Sequence, residues 1–171
     1  MIPTLQTERL ILRPYRRGDF DAYAAFMASP AAAHMDGPMD RAKAWHFFTN
    51  DIASWALFGF GNLAIEYEGA FAGGIGLTHP PHFPEPECGW FLRDGFTGKG
   101  IATEAARAVL DHAFATTDLA SIVSYISVGN TASIRVAKAL GATRDVHANA
   151  PEATGTLVYR HVRKDKDRNV A

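Results

Sequence analysis

Residues 87–113, ECGWFLRDGFTGKGIATEAARAVLDHA, constrain the fold more than any other part of this 171-residue chain. Cys88-Gly89-Trp90-Phe91-Leu92 is a short, partly aromatic apolar run that stops at Arg93-Asp94-Gly95, the pattern of a buried strand. A loop follows, Gly95-Phe96-Thr97-Gly98-Lys99-Gly100. Apolar residues then recur at Ile101, Ala105, Ala108 and Val109, with His112 in register, in a stretch rich in alanine, which predicts a helix. A strand, a glycine turn and a helix start together make an anion site. The first-turn N–H groups have no partner inside the helix, and the helix dipole places about half a positive charge beside them. Gly98 and Gly100 remove side chains that would hold a phosphate away from those donors, and Lys99 adds a cation at the rim. The expectation is a phosphate or diphosphate cradle over residues 98–103. A plain glycine turn is the competing reading. A P-loop is excluded because Lys99 is followed by Gly100 rather than Ser or Thr, and the dinucleotide fingerprint fails at Thr103.

Three strings carry a resemblance to a known family. Gly98-Lys99-Gly100-Ile101-Ala102-Thr103-Glu104-Ala105 resembles the acetyl-CoA loop of the GCN5-related N-acetyltransferases (GNAT), more narrowly the branch that acetylates ribosomal-protein N-termini. The family pattern Gln/Arg-x-x-Gly-x-Gly/Ala places its last two anchors on Gly100 and Ala102. Its first anchor falls on Thr97, a departure that removes a long polar side chain but leaves the backbone cradle. The opening Thr7-Glu8-Arg9-Leu10-Ile11-Leu12-Arg13 is typical of the same branch. Asn130-Thr131-Ala132-Ser133 through Gly141-Ala142 resembles the family's second signature, about thirty residues after the first. The resemblance covers residues 5–163.

The rest of the chain agrees with one α/β domain. Thr7 to Pro14 reads as a strand, and Asp19 as the cap of a helix carrying Phe20, Tyr23, Ala24 and Met27 on one face. Residues 31–38 read as irregular. Arg41 to Trp55 has helical spacing, with Trp45, Phe48, Ile52 and Trp55 together as core or, by the resemblance, as a wall of the acceptor pocket. Asn62–Tyr67 and Phe71–Leu77 flank Glu68-Gly69-Ala70 as a hairpin. Gly73-Gly74-Ile75-Gly76 signals a bulge or a close approach by another group. HPPHFPEP, residues 79–86, is a stiff loop; His79 and His82 lack a cysteine or carboxylate at ligand spacing, so no metal is expected. Ser121 to Val128 is a strand, Thr131 to Leu140 a helix stopped by Gly141, and residues 143–147 and Thr156–Val162 are closing strands. Residues 164–171 form a charged tail.

The fold that the resemblance implies is a mixed, mostly antiparallel sheet, splayed in the middle and flanked by helices, in a single domain over residues 1–171. It also implies a site. The pantetheine arm of acetyl-CoA would enter the splay and pair with backbone near Phe91 and Leu92. Its diphosphate would rest on Thr97, Gly98, Lys99, Gly100, Ile101, Ala102 and Thr103. Asn130 would bond a pantetheine amide. Ser133 would donate to the leaving thiolate, where the wider superfamily often has tyrosine. Glu87 would draw the proton from the amine, with Glu66 as second candidate, and a carboxylate serves best as base when burial raises its pKa toward neutrality. Cys88 reads as structural. The implied activity is acetyl-CoA-dependent transfer to a primary amine by direct attack in a ternary complex. A non-catalytic acyl-CoA-binding or sensing domain shares the same cradle.

Composition narrows the partners. Seventeen Lys and Arg against eighteen Asp and Glu give a net charge of −1, and no basic stripe argues for nucleic acid. Apolar stretches are interrupted before they reach membrane length, and the start lacks the basic and apolar regions of a signal peptide. With one cysteine there is no internal disulfide. The expectation is a cytoplasmic protein, monomer or homodimer, whose partners are acetyl-CoA and an amine.

Overall fold

The computed structural model describes residues 1–151 and 155–163; the expected charged tail lies outside them. Strands Leu5–Gln6 (β1), Leu10–Arg13 (β2), Asn62–Tyr67 (β3), Ala70–Thr78 (β4), Glu87–Leu92 (β5), Ser121–Ser127 (β6), Thr143–Arg144 (β7) and Thr156–Val162 (β8) form one sheet. Their order is β1-β2-β3-β4-β5-β6-β8-β7. Helices Phe20–Met27 (α1), Arg41–Phe58 (α2), Ile101–Thr116 (α3) and Thr131–Ala139 (α4) flank it, with short 3₁₀ turns at Arg17–Asp19 and Pro30–His34. Adjacent strands are antiparallel except β5 and β6, which are joined through α3 and run parallel. No helix among the described residues is long and apolar enough to cross a membrane.

Side-chain alternation along the strands splits the core into two faces. Leu10, Leu12, Leu63, Ile65, Ile75 and Cys88 point toward α3, where Ile101, Ala105, Ala106 and Val109 meet them. The small alanines let α3 lie close to the sheet. Tyr15, Ala64, Phe71 and Phe91 point the other way and pack with Tyr23, Met27 and Phe48 of α1 and α2. Ile126, Ala137 and Tyr159 make a third cluster under α4, and Trp90 bridges it to the first.

Local details depart from the sequence reading in four places. The strand expected over residues 143–147 is confined to Thr143–Arg144. The segment from Thr7 to Pro14 is not one strand. Thr7 N–H donates to Leu10 O at 3.0 Å and Leu10 N–H to Thr7 Oγ1 at 3.0 Å, folding β1 back on β2. Asp19 precedes α1 but makes no capping bond; its carboxylate instead takes the Arg13 guanidinium at 2.8 and 2.9 Å and the Arg16 N–H at 2.7 Å. The stretch expected to be irregular begins with the 3₁₀ turn Pro30–His34. By contrast α2 behaves as its pattern suggests, running on to Phe58. Asp40 Oδ1 accepts from Lys43 N–H at 2.7 Å, a cap that contributes about 1 kcal/mol, and Gly59 ends the helix at φ 75°.

The glycines of β4 answer to the protein itself. A Cβ on Gly73 would lie 2.1 Å from Phe91 O, and one on Gly74 would lie 2.1 Å from the Tyr15 hydroxyl and 2.5 Å from the Phe91 ring. The close approach is that of β5 and two aromatic rings.

Candidate active site

A break in the sheet organises the site. β5 and β6 pair at Glu87–Val123 alone, with Val123 N–H donating to Pro86 O at 3.0 Å. Beyond that point the strands diverge toward their C-terminal ends. In a strand, successive residues turn their backbone groups to alternate neighbours. Phe91 pairs with Gly74 of β4, so its N–H and C=O are engaged there. The groups that face the gap are those of Trp90 and Leu92. Of the two β5 residues singled out from the sequence, Leu92 borders the gap and Phe91 is paired toward β4, while Trp90 also borders the gap.

Two side chains bridge the strands where backbone pairing stops. From β6, Ser124 Oγ donates to Cys88 O at 2.7 Å. From β5, Glu87 Oε1 accepts from Tyr125 N–H at 3.3 Å. His161 Nε2 lies 3.1 Å from Ser124 Oγ. Because the serine proton goes to a carbonyl, the imidazole must be the donor there, which assigns its Nε2–H tautomer. Burial pushes the His161 pKa down to about 4, so the ring is neutral.

The cradle lies at the open end of the gap. Gly98 and Gly100 have φ of 75° and 78°, in the left-handed region that glycine favours. Gly100 is the N-cap of α3 and no side chain caps this helix. In α2 and α4 a side chain does the capping. The N–H groups of Ile101, Ala102 and Thr103 are thus left for an anion, as a diphosphate site requires. Thr97, Gly98, Lys99 and Gly100 are exposed, while Ile101 and Ala102 are buried and anchor the loop. Lys99 Nζ sits over the Tyr67 and Phe96 rings at 5.7 and 5.8 Å. Arg9 enters this region unheralded by the sequence: its Nη1 donates to Lys99 O at 3.1 Å, and it pairs with Glu104.

Asn130 and Ser133 lie at the same C-terminal end of the parallel pair. Asn130 Oδ1 accepts from Ser133 N–H at 3.1 Å and so caps α4, leaving its Nδ2 to donate elsewhere. Ser133 is half-buried in the first turn of α4, on the α3 side of the sheet.

Glu87 lies at the apex of the gap on the opposite face, sharing strand parity with Phe91 and facing α1 and α2. Five steps of about 3.3 Å put Leu92 roughly 16 Å away, so the gap between them can take an extended arm. The Glu87 carboxylate receives hydrogen bonds from Tyr125 N–H and Thr78, but desolvation outweighs them and raises its pKa to about 7. A second carboxylate on this face, Asp51 of α2, is also raised to about 7 by desolvation. It accepts from Asn62 Nδ2 at 2.7 Å and from Tyr23. Neither acid has an arginine or lysine partner among the described residues. Glu66 differs: Arg13 Nε donates to its Oε2 at 2.6 Å, so it belongs to a structural ion network rather than to the gap.

Residues 79–86 fold against the apex. Arg160 holds Glu85 with two bonds, at 2.6 and 2.8 Å, and Glu85 N–H donates to the Tyr125 hydroxyl at 3.2 Å. Phe83 meets Tyr125 edge-on at 5.3 Å. His79 packs near Phe58 and His82 near Phe83. Among the described residues no group of three or more His, Cys, Asp or Glu side chains is arranged to hold a metal. On α2, Phe48 is core, Trp55 Nε1 donates to Asn62 O at 2.9 Å, and Trp45 is 43 % exposed over Phe20.

Comparison with known proteins places this geometry. Residues 9–143 match the family model of the GNAT acetyltransferase domain. A crystal structure of an acetyltransferase from Agrobacterium tumefaciens is 45% identical, with a TM-score of 0.92, and covers 95% of this chain and 96% of its own. The ribosomal L7/L12 α-N-protein acetyltransferase RimL in complex with coenzyme A shares the fold at 18% identity, with a TM-score of 0.76 over 94% of this chain and 98% of that one. An uncharacterised N-acetyltransferase of Bacillus subtilis, YnaD, is 36% identical over 59 residues, which span 34% of this chain and 35% of the relative.

Proposed function

The chain belongs to the GNAT acetyltransferase family, and on that footing we propose that it is an acetyl-CoA-dependent N-acetyltransferase acting on a primary amine, a protein N-terminus or a small molecule, by direct attack in a ternary complex. The observation that carries this reading is the one-ended gap between β5 and β6, with unpaired backbone along it, uncapped helix donors at its mouth and an arginine-free carboxylate at its apex.

Each residue then has a task. The N–H groups of residues 101–103, with Gly98 and Gly100 clearing their approach, hold the diphosphate. Trp90 and Leu92 main-chain groups pair with the pantetheine arm, and Asn130 Nδ2 donates to one of its amides. A β5 N–H facing the gap stabilises charge that develops on the thioester oxygen. The acceptor approaches from the α1–α2 face. Glu87, as carboxylate, takes the ammonium proton directly or through one water. The freed amine attacks the acetyl carbon, forming C–N as C–S breaks, and the surplus nitrogen proton passes to the departing thiolate, leaving the neutral amide and the free thiol of CoA. Ser133, on the other face, hydrogen-bonds the departing thiolate. With a pKa of about 7, Glu87 is both an adequate base and substantially ionised near neutral pH.

Two measurements test this. Calorimetric titration with acetyl-CoA, using ATP as control, should show binding of the first and not of the second. Thiol release with a panel of primary amines should then show turnover that rises with pH through about 7. Binding without turnover on any amine would leave a sensing domain; binding of neither ligand would make the glycine loop a plain turn.

A further inference from the structure

The cation expected beside the cradle is Lys99, but its ammonium lies over Tyr67 and Phe96. Around Gly100 the geometry favours another residue. Among the described residues, and apart from its own chain neighbours and helix backbone, the atom within 4 Å of the position a Gly100 Cβ would take is Arg9 Nη2, at 3.5 Å. Arg9 comes from the turn between β1 and β2, and that turn is fastened to α3 through a single carboxylate. Glu104 Oε1 accepts from Thr7 Oγ1 at 2.5 Å and from Arg9 N–H at 3.0 Å, while Oε2 accepts from Arg9 Nε at 2.8 Å. Arg9 Nη2 completes the fork at 2.7 Å from Oε2, and Nη1 reaches Lys99 O.

A guanidinium has five N–H bonds. Nε and Nη1 each donate one hydrogen bond, and one N–H of Nη2 is taken up by the ion pair with Glu104 Oε2. Two remain, on a side chain that is 40% exposed, next to the uncapped start of α3. Glu104 already accepts from Thr7 and Arg9 and is the less exposed partner, at 20% against 40% for the guanidinium side chain. Through its bond to the Lys99 carbonyl, the Arg9 side chain also ties the glycine loop to the β1–β2 turn.

We propose that Arg9 is the missing cationic member of the cofactor cradle: it positions the Gly98–Gly100 loop and hydrogen-bonds the diphosphate with its two remaining N–H groups. This rests on the acetyl-CoA reading above. A planar fork is needed for it, so lysine is not an equivalent replacement.

The test compares acetyl-CoA with S-acetylpantetheine, a thioester with the same arm and no phosphate. Arg9→Ala should weaken acetyl-CoA binding about tenfold by calorimetry and leave KM for S-acetylpantetheine unchanged. Arg9→Lys should recover less than half of that loss on a logarithmic scale. Thr7→Val, which loosens the turn but keeps Arg9, should leave both thioesters within about twofold. Equal losses on both thioesters in Arg9→Ala, or a loss in Thr7→Val as large as in Arg9→Ala, would reduce Arg9 to a prop for the turn and overturn the proposal. Unchanged acetyl-CoA affinity in folded Arg9→Ala would overturn it too. Failure of the unaltered protein to bind acetyl-CoA would instead sink the cofactor reading itself.

Discussion

Set side by side, the acidic residues paired with arginine and the two on the α1–α2 face that are unpaired among the described residues obey opposite rules. Asp19 and Glu66 share Arg13, Glu85 and Asp145 share Arg160, and Glu104 meets Arg9. The pKa directions of Asp19, Glu85, Glu104 and Asp145 follow. Hydrogen bonds from Arg160 lower Glu85 and Asp145. Burial works against Asp19 and Glu104, yet bonds from Arg13 and Arg16, and from Thr7 and Arg9, outweigh it and both end up low. Asp51 and Glu87 are covered too but have only neutral donors, and both rise to about 7. A carboxylate whose pKa an arginine lowers holds a proton less readily and already has its cation. One that is covered and lacks a cation holds a proton more readily. The difference sets Asp51 and Glu87 apart from the arginine-paired acids on electrostatic grounds.

The comparison breaks or sharpens through substitution, and the largest effect should come from its sharpest member. Glu87→Gln keeps the bond from Tyr125 N–H but cannot take a proton. Turnover should fall roughly a hundredfold or more, the range of general-base loss, with acetyl-CoA affinity unchanged. A turnover within threefold of the unaltered enzyme would move the base elsewhere. Next, Gly100→Leu places a side chain against Arg9 at a left-handed φ; acetyl-CoA binding should drop by about two orders of magnitude in a variant whose circular dichroism is unaltered. Retained affinity would remove the cradle. Ser133→Ala should lower turnover about tenfold with little change in Kd for acetyl-CoA, and matched losses in both would make Ser133 a binding residue.

The smallest effect concerns stability. Asp51 has a folded pKa raised above its unfolded value, so its favourable contribution is complete below about pH 4 and is lost as pH rises through about 7. Asp51→Asn should therefore be neutral in acid and more stable than the parent at pH 8 by something on the order of 1–2 kcal/mol, discounted because the residue is partly exposed. Scanning Tm from pH 4 to 8 checks it; parallel curves would mean that Asp51 has a cation partner in solution.

How far the sequence could be read depends on distance along the chain. The strand, turn and helix of 87–116 were legible because their signals are local: a stop at Arg93-Asp94-Gly95, glycines at positive φ, alanines at helical spacing. The parity of β5 was not. Whether Trp90 or Phe91 faces the gap depends on how β5 registers against β4, and nothing in residues 87–92 carries that. The Arg9–Glu104 contact joins residues 95 apart, and each alone reads as a solvated charge. Asp19 looked like a helix cap because it precedes an amphipathic run, but a buried Arg13 nearby is a stronger claim on its carboxylate. Asp51, between Asn50 and Ile52 on α2, gives no sign that Asn62 and Tyr23 hydrogen-bond to it.

The bridges at the apex have a mechanical consequence. A sheet with two strands pulled apart resembles a plate with a crack, and a wedge driven into the mouth concentrates load at the tip. Ser124 and Glu87 act as the hole drilled at the end of that crack. Each ties one strand to the other's backbone, from opposite faces, just where the next pair would otherwise part. A ligand seated at the mouth can spread the outer residues without unzipping the inner ones. Glu87, itself one of the ties, thus stays in place while the mouth moves.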